Sequence, residues 1–263
     1  MLKKQKQKEL YMFPPILMFY PNLAKQVLSY RTHNKEALAF NAKQLKLSGW
    51  KIPWRSAFTS VDVAPHCCPY YADHEHHING FVSFAARQYL SATRDLDWLL
   101  NESGNELINK LAEFWQSRMT YSKLKSQFEI LNVIPPDEDV GLVNNSVTTN
   151  VVAAMSIFLA DYSNCLANVS ENIDKNMLHK ARCIHIPFDH EQKVHLEYEN
   201  YVVKEQQEYA DVVFLIYPLM WPMEDEVRKH DLWFNEASMS QDFILNLYFI
   251  LNILNLALVS IFA

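Results

Sequence analysis

Apolar residues recur at helical spacing through most of this chain. Leu23, Val27 and Leu28 mark one segment, and Ala37, Leu38, Phe40 and Leu45 mark the next. The signal is strongest from Gly104 to Arg118. There Leu107, Ile108, Leu111, Phe114 and Trp115 line one stripe, while Glu106, Asn109, Lys110 and Glu113 take the other side. Val147, Val151, Val152, Met155, Phe158, Leu159 and Tyr162 repeat the pattern, so a helix is expected to begin at about Val147. Between these segments run long, proline-bearing connections at 46–78, 122–146 and 186–206, with room for short extended pieces. The pattern predicts an all-α domain over residues 1–240 that carries its functional loops at one end.

The last stretch, within 241–263, behaves differently. From Phe243 to Ala263 no charged residue occurs, and apolar side chains surround Asn246, Asn252 and Asn255 on every face. Its length permits a membrane span, its three asparagines argue against one, and a buried core helix or a non-native end from a misread gene boundary fits as well.

One connection carries candidate chemistry. In Ile-Pro-Pro-Asp-Glu-Asp-Val-Gly-Leu-Val-Asn-Asn-Ser-Val-Thr-Thr-Asn, residues 134–150, Pro135 and Pro136 fix backbone angles and remove two amide donors. Asp137 and Glu138 are therefore expected to project from a stiff, non-helical segment, where a carboxyl group can aim a proton. Asn144, Asn145 and Asn150 each donate and accept, which suits a polyhydroxylated ligand such as a sugar. A proline turn leading into a polar helix entry explains the same residues without a ligand.

Composition then removes whole classes of function. The 263 residues carry a net charge of −6, with no basic patch to hold nucleic acid. Only Gly49, Gly80, Gly104 and Gly141 are glycines. The clustered glycines of a phosphate loop or a dinucleotide fingerprint are missing, so nucleotide cofactors are not expected. Cys67, Cys68, Cys165 and Cys183 show no disulfide spacing, and the basic start leads into no clean apolar stretch. Reduced thiols and a cytoplasmic location are the expectation.

His66, Cys67, Cys68, Asp73, His74, Glu75, His76 and His77 crowd one stretch, but no second ligand pair follows as structural zinc requires. A sugar site or a solvated loop reads better than a metal centre, and nothing marks either thiol as an activated nucleophile. Trp54, Tyr70, Tyr71, Trp221 and Trp233 can stack on a sugar or simply fill the core. Trp54, in a polar loop with Arg55, Ser56 and Asp62, is the best placed of them for a site.

Several ordered segments carry a resemblance. Pro53-Trp54 with Ser56-Ala57, the run Glu75-His76-His77-Ile78-Asn79-Gly80, Gln88-Tyr89 with Thr93-Arg94-Asp95, and Ala112-Glu113-Phe114-Trp115 with Ser117-Arg118 form the first part. The Pro-Pro-Asp-Glu to Asn-Asn-Ser-Val-Thr-Thr-Asn segment, Ala210-Asp211-Val212-Val213, Tyr217-Pro218 and Val227-Arg228 continue it. Together, from about Glu9 to Ala237, they resemble the catalytic domain of glycoside hydrolase family sixty-five, and most of all its branch acting on glucosylgalactosyl-hydroxylysine. The resemblance implies an (α/α)6 barrel whose loops at one end cup a glucoside, with inversion at the anomeric carbon. Glu138 matches the family's general acid, which protonates the departing oxygen. A second carboxylate activates water at roughly 6.5–9.5 Å in the hydrolases, and bound phosphate attacks instead in the phosphorylases. Trp54, Glu75, His77, Asn144, Asn145 and Asn150 are the implied sugar lining. No cofactor or metal is implied, and the implied partner is a carbohydrate or a glycosylated hydroxylysine.

The departures from that pattern matter as well. The family's base and phosphate loop lie beyond the point where the resemblance stops. Lys6 and Gln7 stand where the family carries a tryptophan and a glucose-gripping aspartate, and the family's leading β-sandwich has no counterpart. Arg55 replaces a glutamate, Phe81 an aspartate and Thr149 a tyrosine, while Glu208 and Tyr209 replace a lysine and a glutamine. The expectation is an incomplete barrel with little or no turnover, or a sugar-binding relative without the chemistry.

Overall fold

The computed structural model describes residues 8–56, 58–64, 69–169, 175–202 and 210–236. The apolar tail, His66, Cys67 and Cys68, Lys6 and Gln7, and Glu208 and Tyr209 lie outside the described residues. After a π-helical turn at Lys8–Met12, the chain runs through α1 (Phe13–Phe19), α2 (Pro21–His33), α3 (Lys35–Gln44), α4 (Pro69–His74), α5 (His77–Thr93), α6 (Leu96–Asn101) and α7 (Gly104–Arg118). A hairpin of β1 (Thr120–Ser122) and β2 (Gln127–Glu129) follows, then a 3-10 turn at Glu138–Val140, α8 (Val147–Leu166) and α9 (Lys175–Arg182). A second hairpin, β3 (Phe188–Asp189) with β4 (Val194–His195), precedes α10 (Val213–Ile216) and α11 (Asp225–Glu236). The chain is mostly helical, as the periodicity predicts, and α7 and α8 begin where the pattern places them. No helix among the described residues is long and apolar enough to cross a membrane.

The core sits where α5 and α7 pack against α8. On α7 the apolar stripe is wholly buried, with Leu107, Ile108, Leu111, Phe114 and Trp115 inaccessible to solvent. Val147, Val151, Val152, Ile157 and Leu159 of α8 close on it from one side. Gly80 of α5 packs directly against Val152 of α8. A Cβ built there would lie 2.2 Å from Val152 Cγ2 and 2.3 Å from Val152 Cβ, so only glycine lets these two helices come so near.

Helix ends are set by short-range chemistry. The Asp95 carboxylate accepts from Trp98 N at 2.9 Å and starts α6, and the Ser146 hydroxyl accepts from Thr149 N at 3.3 Å and starts α8. At the far end of α5 the chain turns through Arg94 at φ 52°, whose N–H reaches back to Leu90 O at 2.9 Å. The long connections that the sequence leaves irregular hold the two small hairpins. Residue 128 ties β2 to the exit of α9, since Phe128 N donates to Cys183 O (2.8 Å) and Phe128 O accepts from His185 N (2.7 Å).

Candidate active site

The loop bearing Glu138 is held from both flanks. Val133 and Val143 exchange backbone hydrogen bonds at 2.9 and 2.8 Å, closing 134–142 into a stem-anchored loop. Upstream, His74 Nδ1 donates to Asn132 O (2.9 Å), His77 Nδ1 donates to Ile134 O (3.2 Å), and Ile134 N donates to His74 O (3.1 Å). Arg118 reaches the same stretch, donating to Leu131 O and to His76 Nδ1, the latter at 3.0 Å. His76 Nε2 donates to Asp73 O at 2.8 Å, so its Nδ1 is an acceptor and the ring is neutral. Burial above all, then the Arg118 charge, holds this imidazole well below its ordinary range. The histidine run is thus largely a clamp on the loop. The sequence reading offers a sugar site or a solvated loop for these residues, yet His76 and His77 are buried, and both bind backbone carbonyls. Among the described residues no group of three or more His, Cys, Asp or Glu side chains is arranged to hold a metal ion.

Within the loop, Glu138 opens the 3-10 turn and is half-buried, and Asp139 is exposed. Gly141, at φ 78°, ends the turn with its N–H on Glu138 O at 3.1 Å. Asp137 departs from expectation. It does not project beside Glu138 but is buried, and its Oδ1 accepts from Asp139 N at 3.3 Å as the cap of the turn. A side chain two residues ahead of a tight turn satisfies the turn's free amide, and that local bond outweighs exposure.

A cavity of about 100 Å³ lies at the N-terminal end of α5. Trp54, Arg55, Glu75 and Phe81 line it together with Glu9 and Arg31, which pair at 3.0 Å. Glu75 is buried, with its Oε2 3.7 Å from His77 Nε2. The Trp54 ring is already covered by Tyr71, stacked at 5.3 Å, and by the Arg55 guanidinium, 4.7 Å from its centroid. Trp54 therefore shapes the wall with its neighbours rather than offering a bare stacking face. Arg55 and Phe81, two of the departures noted above, both face this space.

The three asparagines separate. Asn144 is exposed and its Oδ1 caps Asn132 N at 3.0 Å. Asn145 is buried at φ 53°, with all four bonding positions occupied. Its Nδ2 donates to Glu129 Oε1 (3.0 Å) and Glu199 Oε2 (2.9 Å), and its Oδ1 accepts from Ile130 N (3.1 Å) and Asn150 Nδ2 (3.2 Å). Asn150, fully buried, also donates to His185 O at 2.7 Å. The Asn145 amide is thus bonded on all sides from within the fold, and Asn150 has no solvent access. Asn145→Ala should cost about 3 kcal/mol, from stranded buried partners plus a left-handed backbone that alanine resists. Chemical denaturation checks this, and sugar affinity in the folded fraction should be unchanged.

Sequence reasoning missed a buried carboxyl cluster behind the loop. Asp137 N donates to Asp211 Oδ2 at 3.3 Å, and Val212 N donates to Glu197 Oε2 at 3.2 Å. Asp137, Glu197 and Asp211 are all buried. Burial first, then the charges of Asp211 and Asp137, push the Glu197 carboxyl well above the ordinary glutamate range. The one signal in sequence is a lone acid in the apolar run from Val194 to Tyr198. A carboxyl raised on folding binds more protons in the native state, so its stabilising effect is complete below the ordinary glutamate pKa and is lost as pH rises toward the folded value. Glu197→Gln should therefore flatten the fall in melting temperature as pH rises above the ordinary glutamate range. An unchanged slope in calorimetric scans would count against a protonated Glu197.

This geometry has relatives. The chain is similar to a protein named protein-glucosylgalactosylhydroxylysine glucosidase from Danio rerio, 41% identical over 228 residues that make up 86% of this chain and 34% of that protein. A kojibiose phosphorylase from Caldanaerobacter subterraneus is 32% identical over 221 residues, covering 74% of this chain and 28% of its own. Among solved structures, one titled as a putative kojibiose phosphorylase from the human microbiome superposes with a TM-score of 0.74 at 18% identity, covering 89% of this chain and 36% of its own. That likeness establishes the fold. The chain spans about a third of the length of the curated relatives it matches. A model of the glycosyl hydrolase family 65 central catalytic domain matches residues 7–256, a range that takes in the clamped loop, the cavity and the carboxyl cluster alike, and the chain belongs to that family.

Proposed function

We propose that this domain removes glucose, with inversion, from an α-glucosyl-galactosyl-hydroxylysine type substrate on an (α/α)6 barrel, with Glu138 as the proton donor. The observation that carries the reading is the mounting of Glu138. It sits half-buried at the head of a short turn whose stem is bonded at Val133 and Val143, clamped by His74 and His77, and backed by Asp211. A carboxyl group held so firmly protonates a leaving oxygen without paying to find its position. The cavity between Trp54 and Glu75 is the candidate glucose pocket; no described residue is assigned to activating water, so turnover requires a base from outside the described residues. The similarity to the Danio rerio protein supports the aglycone, and the lack of clustered glycines supports a reaction without a nucleotide.

The test is incubation with glucosylgalactosyl-hydroxylysine, followed by proton NMR. Early appearance of β-glucose supports inverting hydrolysis. Glucose 1-phosphate formed only when phosphate is added would replace it with a phosphorylase. A second reading, a sugar-binding domain without turnover, is favoured by Arg55 and Phe81 in the cavity wall, where the family pattern has two acids. Calorimetric heat on adding the disaccharide, with no product formed, would select it.

A further inference from the structure

We propose that Glu197 is a positioning residue for the proton donor, bracing the Glu138 loop and the first turn of α8 from behind through Asp211. The inference rests on the reading of Glu138 given above and adds a residue to it. Glu197 bonds in two directions. Its carbonyl accepts from Val147 N at 2.9 Å, at the start of α8, and its Oε2 accepts from Val212 N at 3.2 Å. Next to Val212, Asp211 continues both links. Its carbonyl accepts from the Thr148 hydroxyl at 2.7 Å, again in the first turn of α8, and its Oδ2 accepts from Asp137 N at 3.3 Å. Glu138 follows Asp137 directly, so a continuous set of bonds joins Glu197 to the backbone that carries the acid.

The charge arrangement gives this brace a pH dependence. Asp137 faces the cluster from the loop, Asp211 from the segment before α10, and Tyr198 from beside Glu197, while the first turn of α8 offers only Val147, Thr148, Thr149 and Asn150. The Asp211 and Val212 amides both bond the Glu197 carboxyl, and burial beside the Asp211 and Asp137 charges opposes its ionisation. While Glu197 keeps its proton, Asp137 and Asp211 share the pocket with one negative charge fewer. When it ionises, like charges repel beneath the loop and the acid is displaced. Activity should then fall on the alkaline side through a group that never touches the sugar.

Glu197→Gln and Glu197→Ala separate this from a merely structural role. Glutamine keeps the acceptor and cannot ionise, so its kcat should stay within about threefold of wild type while the alkaline limb of the pH profile moves upward. Alanine should lower kcat by about tenfold or more with KM within about twofold. A wild-type alkaline limb in both variants, or a raised KM at unchanged kcat, would overturn the proposal. Two readouts need no substrate. A protonated-carboxyl infrared band that persists above the ordinary glutamate range should vanish in Glu197→Gln, and amide exchange at Asp137 and Val212 should quicken in Glu197→Ala. If those signals are absent the brace is wrong whatever the turnover, and if they appear in a protein that cleaves no α-glucoside, the brace stands and the proposed function fails.

Discussion

Replacing Glu138 by glutamine should lower kcat/KM on the glucosyl-galactosyl substrate by about 10²- to 10⁴-fold while its Kd moves by less than about threefold. Glutamine matches the shape of the acid and removes the acidic proton, so the loss falls on the bond-breaking step alone. The loop should keep its conformation, because its stem and flanks are anchored by other residues. Val133 pairs with Val143, His77 holds Ile134, Asp211 holds Asp137, and the Gly141 bond to residue 138 is backbone only. Asp139, one residue on and exposed, is the matched control. Asp139→Asn should change kcat/KM by less than about twofold, as expected for a solvated carboxylate outside the reacting geometry. Equal losses in the two variants would mean that the loop, and not one proton, governs the rate.

Gly80→Ala should cost about 3 kcal/mol, at the upper end of overpacking costs. The added Cβ would meet Val152 at 2.2 and 2.3 Å, and Val152 is a buried β-branched residue with little rotamer freedom inside α8. Relief requires α5 and α8 to separate, and both carry the site: His77 opens α5 and clamps Ile134, while Val147 opens α8 and bonds Glu197. The melting temperature should drop by about 6–12 °C for a chain of this size. Adding Val152→Ala should recover only part of that, since it removes the Cγ2 contact and leaves the Cβ contact in place. Full recovery would place the clash elsewhere.

The sequence makes the helices legible where one face meets the core and the other meets water. The α7 stripe and the start of α8 follow from spacing, a local property. The loop that carries Glu138 is legible because two prolines and a family-like segment mark it. What stays hidden depends on distant partners. Asn145 reads as a free amide until Glu129 and Glu199 are seen to occupy it from 16 and 54 residues away. His77 reads as a sugar contact, and the fold shows it bonded to a carbonyl 57 residues on. Glu197 shows in the sequence only as a lone acid among apolar neighbours, and the approach of Asp211 and Asp137 makes its environment acidic and dry. Periodicity reports burial, and it carries no information on which polar groups meet inside.

Proton donation by Glu138 is tested most directly by leaving-group dependence. Fluoride departs from α-glucosyl fluoride without a proton, whereas the galactosyl oxygen needs one. In the intact protein, Glu138→Gln should cleave the fluoride within about tenfold of the wild-type rate while losing about 10²-fold or more on the disaccharide. An equal loss on both substrates, or none on either, would contradict the assignment of Glu138 as the acid.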